Sequence, residues 1–171
     1  MVKNLVWILP RPRPDYYKGS FPLHFEKKLV KELGNPSLIL HPFGGKSEIG
    51  LRVDLNKAVE PTVIADAHHL PFKDNVFDLV ITDPPYSEKH SKNLYKTGIV
   101  RYKRYSEEAV RVCKVGGFFA SYHWVMTPRP DKTGLFLRIF VGGRTWHRPR
   151  VCCVFQKVGE DDSSLESFIQ R

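Results

Sequence analysis

The sequence predicts an α/β fold built on a mostly parallel sheet with an antiparallel terminal strand. Short apolar runs at residues 37–40, 51–53, 62–65 and 77–81 read as buried parallel strands. The first runs straight into Gly44-Gly45, where backbone can turn tightly or approach a ligand closely. The last ends on Asp83-Pro84-Pro85-Tyr86. Two prolines end a strand because each lacks an N–H and has its φ fixed. In an open α/β sheet, ligands bind at the carboxyl ends of strands.

The other elements follow in order. Residues 1–17 read as an extended basic arm centred on Pro10-Arg11-Pro12-Arg13-Pro14, a linker or a phosphate contact. The apolar stretch 5–9 is too short for a signal-peptide core or a membrane span, so a cytoplasmic location and no membrane partner are expected. Phe25, Leu29, Val30 and Leu33 have helical spacing, and Gly34-Asn35-Pro36 stops that helix. Residues 106–113 read as a second helix and 117–124 as a strand. Residues 135–141 and 151–156 read as the terminal antiparallel pair, joined around Gly142-Gly143. Residues 1–157 are thus one domain, and residues 158–171, with Glu160, Asp161, Asp162 and Glu166, an acidic, disordered tail.

Composition narrows the function. A chain of 171 residues supports one core and leaves no room for a large recognition domain. The net charge of +9 favours an anionic partner such as nucleic acid. Setting aside the tail leaves 26 basic and 14 acidic residues, so the body is more basic still. Cys113, Cys152 and Cys153 form no CxxC pair, and their odd number argues against a disulfide framework. His68-His69 has no further ligands at metal spacing, and no metal is expected.

The strand-end tetrapeptide carries the chemistry. The amino group of a nucleobase is a poor nucleophile because its lone pair is delocalised into the ring. The Asp83 carboxylate and the Pro84 carbonyl can accept its two hydrogens and aim the lone pair at an electrophile, while Pro85 keeps the turn stiff. Tyr86 can stack on a base that has left its helix. The bare tripeptide is equally at home in an ordinary strand-ending turn; the surrounding segments favour the chemical reading.

Asp83-Pro84-Pro85-Tyr86 resembles the catalytic motif of the S-adenosylmethionine-dependent amino-methyltransferases of nucleic acids, which modify adenine N6 or cytosine N4 of DNA and some RNA bases. The likeness covers about residues 18–157 and implies a class I, Rossmann-like methyltransferase sheet with S-adenosylmethionine as cofactor. Gly19-Ser20-Phe21-Pro22 resembles the segment holding the methionine end of the cofactor. His41-Pro42-Phe43-Gly44-Gly45 is similar to the glycine loop, Asp54 to the acid that takes the ribose hydroxyls, and Asp66-Ala67 to the segment flanking adenine. Residues 111–118 are similar to the passage from helix to strand after the catalytic motif. The chain departs from the pattern twice. His41 stands where the family has an acid, and residues 46–50 are too short for the helix expected between the glycines and Asp54.

Two basic, aromatic sets are candidates for nucleic-acid contact. Residues 87–104 read as a loop carrying Lys92, Lys96, Arg101, Lys103 and Arg104 with Tyr95, Tyr102 and Tyr105 nearby. Arg148 lies in a second set with Arg144, Trp146 and His147. The expected activity is methylation of the amino group of a nucleic-acid base, DNA favoured slightly over RNA (guanine N2 or adenine N6), with a homodimer or partner subunit as a source of specificity. The rivals are an inactive methyltransferase-like binding module and an enzyme acting on a protein amide or small molecule. Asn in place of Asp83 is the usual pattern for amides.

Overall fold

Apolar runs and helical stripes assemble, among the described residues, into one sheet with a helix on each face. The computed structural model describes residues 2–12, 21–85, 100–143 and 149–159. In chain order the elements are β1 (Lys3–Ile8), α1 (Phe25–Glu32), β2 (Ile39–Pro42), β3 (Leu51–Asp54), a 3-10 turn (Lys57–Val59), β4 (Val63–Ile64), β5 (Phe77–Thr82), α2 (Tyr102–Val112), β6 (Cys113–His123), β7 (Thr133–Gly142) and β8 (Arg150–Lys157). The eight strands lie in the order β1-β7-β8-β6-β5-β2-β3-β4. β8 is antiparallel to both its neighbours, and the other pairings are parallel.

Each helix buries the stripe its sequence marks. Phe25 and Leu29, four apart on α1, pack with Trp7, Ile81, Tyr122 and Ile139 on one face of the sheet. Tyr105, Ala109 and Val112 of α2 pack with Leu40, Val80, Phe119 and Phe155 on the other. β5 is buried along nearly its whole length, as a central parallel strand covered on both faces should be.

The structure revises the sequence reading at several boundaries. Part of the expected basic arm, Lys3–Ile8, is a strand docked in parallel register on β7, with Lys3 opposite Leu137 and Ile8 opposite Gly142. α2 begins at Tyr102, so Tyr102, Lys103 and Arg104 belong to its first turn rather than to a loop. β6 begins at Cys113, directly after the helix, and a bulge between the pairs Phe77–Cys113 and Leu79–Phe118 absorbs the glycines. A Cβ on Gly117 would lie 2.9 Å from the Asp78 carbonyl, which is why that close crossing needs glycine. Residues 44–50 form turns and no helix, as their length predicts. The crossover from β6 to β7, residues 124–132, also carries no helix. Val6, Ile8 and Phe140 at the far edge of the sheet are correspondingly exposed. The expected tail from residue 160 onward lies outside the described residues. Among the described residues no helix is long and apolar enough to cross a membrane.

Candidate functional site

Strand order reverses between β2 and β5. From β2 the chain winds outward through β3 and β4, then returns to place β5 on the other side of β2. The carboxyl ends of these two strands therefore open a crevice at a topological switch point. The sequence-predicted residues Pro42, Phe43, Gly44, Gly45, Asp54, Asp83, Pro84 and Pro85 all lie at the carboxyl ends of β2, β3 and β5. Tyr86, Lys92, Lys96 and Arg148 lie outside the described residues, as do Gly19, Ser20, Tyr95, Arg144, Trp146 and His147.

Asp83 follows β5 and is half-buried, with Pro84 buried behind it. Two phenols approach from opposite faces of the sheet. Tyr105 comes from α2 and Tyr122 from β6, both almost fully buried. Burial pushes each phenol far above its ordinary pKa, and the Asp83 charge adds to the rise. Both therefore stay protonated beside the carboxylate. Below them Thr82 and Ser121 are paired across β5 and β6, and their buried hydroxyls make no hydrogen bond of standard geometry. Tyr105, placed from sequence in the basic, aromatic set that is a candidate for nucleic-acid contact, is instead part of the core. Tyr102 is half-buried; desolvation pushes its phenol up to about 12, and its hydroxyl donates to the Pro128 carbonyl at 2.6 Å.

The glycine loop is held from within. Asp54 accepts from the Gly45 N–H at 3.3 Å and from the Asn56 N–H at 2.9 Å. Each oxygen keeps a lone pair for a further donor. A Cβ on Gly44 would lie 2.6 Å from the His41 carbonyl, so this glycine serves the turn itself. Arg52, which the sequence reading passed over, reaches across the absent helix. Its guanidinium donates to the carbonyls of Gly45 (2.8 Å), Val59 (2.9 Å) and Glu60 (2.7 Å). It thereby satisfies carbonyls from two separate turns.

His41 is fully buried at the end of β2. Desolvation, the largest influence, lowers it to about 4, so the ring is neutral near pH 7. Neither ring nitrogen makes a hydrogen bond of standard geometry, but Nδ1 lies 3.4 Å from Glu26 Oε1 of α1. Burial raises the Glu26 carboxyl, opposed by a hydrogen bond from Ser47 Oγ. The Phe21 ring tilts over His41, stacks on Phe25 and meets Tyr122 edge-on. Phe21 thus joins the glycine loop to the residues around Asp83, with Pro22 buried beside it.

Asp66 and Ala67 follow β4. Ala67 is packed in the core. Asp66 Oδ1 accepts from the His68 N–H at 2.9 Å and lies 2.7 Å from His68 Nδ1. Partial burial raises the Asp66 carboxyl, but the contacts with His68 outweigh it and the net shift is downward. His68 Nε2 accepts from the Arg101 N–H at 3.0 Å, so Nδ1 carries the proton. His68, read from sequence only as lacking further metal ligands, therefore joins the β4 loop to the start of α2. Arg111 secures the same loop farther along, donating to Phe72 O, Leu70 O, Asp74 and Glu108.

No family model matches the sequence, and no curated protein matches it. Among solved structures, a SAM-dependent methyltransferase from Aquifex aeolicus superposes with a TM-score of 0.51 at 13% identity, covering 77% of this chain and 89% of that one. A structure reported for the conversion of a disulfide bond into a thioacetal group during echinomycin biosynthesis superposes with a TM-score of 0.50 at 12% identity, covering 95% of this chain and 90% of that one. Both likenesses are likenesses of fold. With β2 at the switch point and β8 inserted antiparallel between β6 and β7, this chain has the class I methyltransferase fold.

Proposed function

We propose that this protein transfers a methyl group from S-adenosylmethionine to the exocyclic amino nitrogen of a nucleic-acid base, DNA before RNA. The observation that carries the reading is Asp83 on its Pro-Pro turn, at the carboxyl end of β5 beside the switch point. S-adenosylmethionine is the cofactor expected of this fold. The chain's residues fit it. Asp54 keeps lone pairs for the ribose hydroxyls, Asp66 and Ala67 stand in the segment that would flank adenine, and Phe21, Pro22, Pro42 and Phe43 would bound the remainder. At the amino-acid end His41 is neutral, and the carboxylate within reach is Glu26.

When bound, the cofactor supplies an electrophilic methyl group on a sulfonium. Asp83 and the Pro84 carbonyl accept the two amino hydrogens of the base and orient its lone pair. Asp83 then holds the proton that nitrogen gives up. Tyr105 and Tyr122, fixed in their protonated form, supply preorganised dipoles beside that carboxylate. The apolar cluster of Phe21, Phe25 and Tyr122 keeps water from one side.

The test is transfer of labelled methyl to DNA and RNA, paired with calorimetric titration of the cofactor. Asp83→Ala is expected to abolish transfer and spare cofactor binding. Persistent turnover in that variant, or label appearing in protein, would overturn the reading. A second reading, an inactive nucleic-acid-binding module, is favoured by the neutral His41 in the acid's place. In that case the folded protein binds no cofactor.

A further inference from the structure

Two locally unfavourable features lie side by side on the carboxyl edge of the sheet. Trp124, Val125 and Met126, immediately after β6, are 48%, 53% and 60% exposed. Arg101, Lys103 and Arg104 are exposed at the start of α2, whose first turn contains no acid. Cations there oppose the helix dipole, and consecutive exposed apolar residues forfeit burial. The hydrogen bond from Tyr102 Oη to Pro128 O fixes one feature against the other. β6 also places Trp124 two residues past Tyr122, the phenol beside Asp83.

We infer that this ridge is the track for an unpaired nucleic-acid strand, with Trp124 as a base-stacking platform and Arg101, Lys103 and Arg104 neutralising its phosphates. The inference rests on the proposed base-methylating function and names the form in which the substrate arrives. One ligand relieves both costs, since it offers a regular row of negative charges and a row of flat apolar faces. Lys103 Nζ lies 3.9 Å from Glu107 Oε1, a solvent-exposed contact of little strength, and a protein partner covering only the apolar trio would add no charge to answer this run of cations. A duplex would answer the cations, but its bases stay stacked on each other and give Trp124 no face. The basic body of the chain agrees in sign.

Binding is measured by fluorescence anisotropy with the full chain. The probes are a labelled single-stranded oligonucleotide, its duplex, and an abasic strand of the same length, each with deoxyribose and with ribose. The wild type is expected to bind the single strand more tightly than the duplex. Trp124→Ala should weaken binding of the base-bearing strand by about 5- to 100-fold and leave the abasic strand unchanged. Trp124→Phe should restore most of the loss. Reversing charge with Lys103→Glu and Arg104→Glu should weaken both strands and reduce the slope of log affinity against log salt by about 1 to 2. Preference for duplex overturns the inference. So does a Trp124→Ala loss that is equal on abasic strand, or absent. Methyl transfer with no effect at Trp124 would sink this inference alone. Strand binding of the expected pattern with no methyl transfer would sink the function proposed above and leave the track standing.

Discussion

Glu26 Oε1 lies 3.4 Å from His41 Nδ1 at the carboxyl end of β2, where both groups are withdrawn from water. Where the related pattern has an acid on the strand, this chain has a neutral imidazole on the strand and a carboxyl on the facing helix.

That exchange makes stability depend on pH. His41 titrates near 4 when folded and near 6.5 when unfolded, so between those values the unfolded chain binds more protons. Its contribution is present above about pH 6.5 and is lost as pH falls toward 4, amounting to on the order of 3 kcal/mol at the low end. His123, lowered to about 4 by burial and by Arg150, acts in the same direction. Glu26 is shifted upward and opposes them, adding stability at low pH that is lost as pH rises above 4.5. Urea midpoints measured from pH 7 to pH 4 should fall, and His41→Leu should flatten the decline. An unchanged slope in that variant would mean His41 is not the titrating group.

Arg52 serves three carbonyls with one side chain. Arg52→Met keeps the aliphatic stem and removes every donor. It should cost about 2–4 kcal/mol in urea unfolding, because hydrogen bonds from a charged group are lost and half-buried carbonyls are stranded. Arg52→Lys should recover only part, since an ammonium cannot reproduce the planar fork.

Two glycines separate backbone strain from crowding. Gly34 and Gly50 have φ of +80° and +75°, but only Gly50 has a neighbour in the way: a Cβ there would sit 2.7 Å from the Ile39 carbonyl. Gly34→Ala should cost about 1 kcal/mol, for the left-handed conformation alone. Gly50→Ala should cost clearly more, because a strand carbonyl must move. Equal losses in thermal unfolding would show that the Gly50 loop yields freely.

The Leu70 amide donates to Glu108 Oε2 at 2.7 Å, and Arg111 holds Glu108 in place. Glu108→Ala should therefore speed hydrogen exchange at Leu70, with smaller effects on the amides of β5. Exchange at Leu70 that stays as slow as in the wild type would mean that other contacts secure the β4–β5 loop.

The central strands were legible because each is an apolar run bounded by turn residues, and the end of β5 at Asp83 because two prolines cannot continue a ladder. The start of α2 was obscured by charge. Tyr102, Lys103, Arg104 and Tyr105 look like a cationic loop until Tyr105, Ala109 and Val112 are seen to share a helical face. Arg52 had no local signal, since its partners sit seven and eight residues away on turns that only the fold brings together. β1 escaped for a similar reason: Leu5 and Trp7 alternate with polar or exposed neighbours as a strand should, but the partner that gives the alternation meaning is β7.

That pairing has a kinetic consequence. Lys3 meets Leu137 and Ile8 meets Gly142, so β1 leaves the ribosome well before its partner and has no ladder to join until β7 has been made. Contacts this distant in sequence form late and slow the search for the native sheet. Until then the indole of Trp7 remains without the core it finally enters, which makes its fluorescence a reporter of the last step of folding.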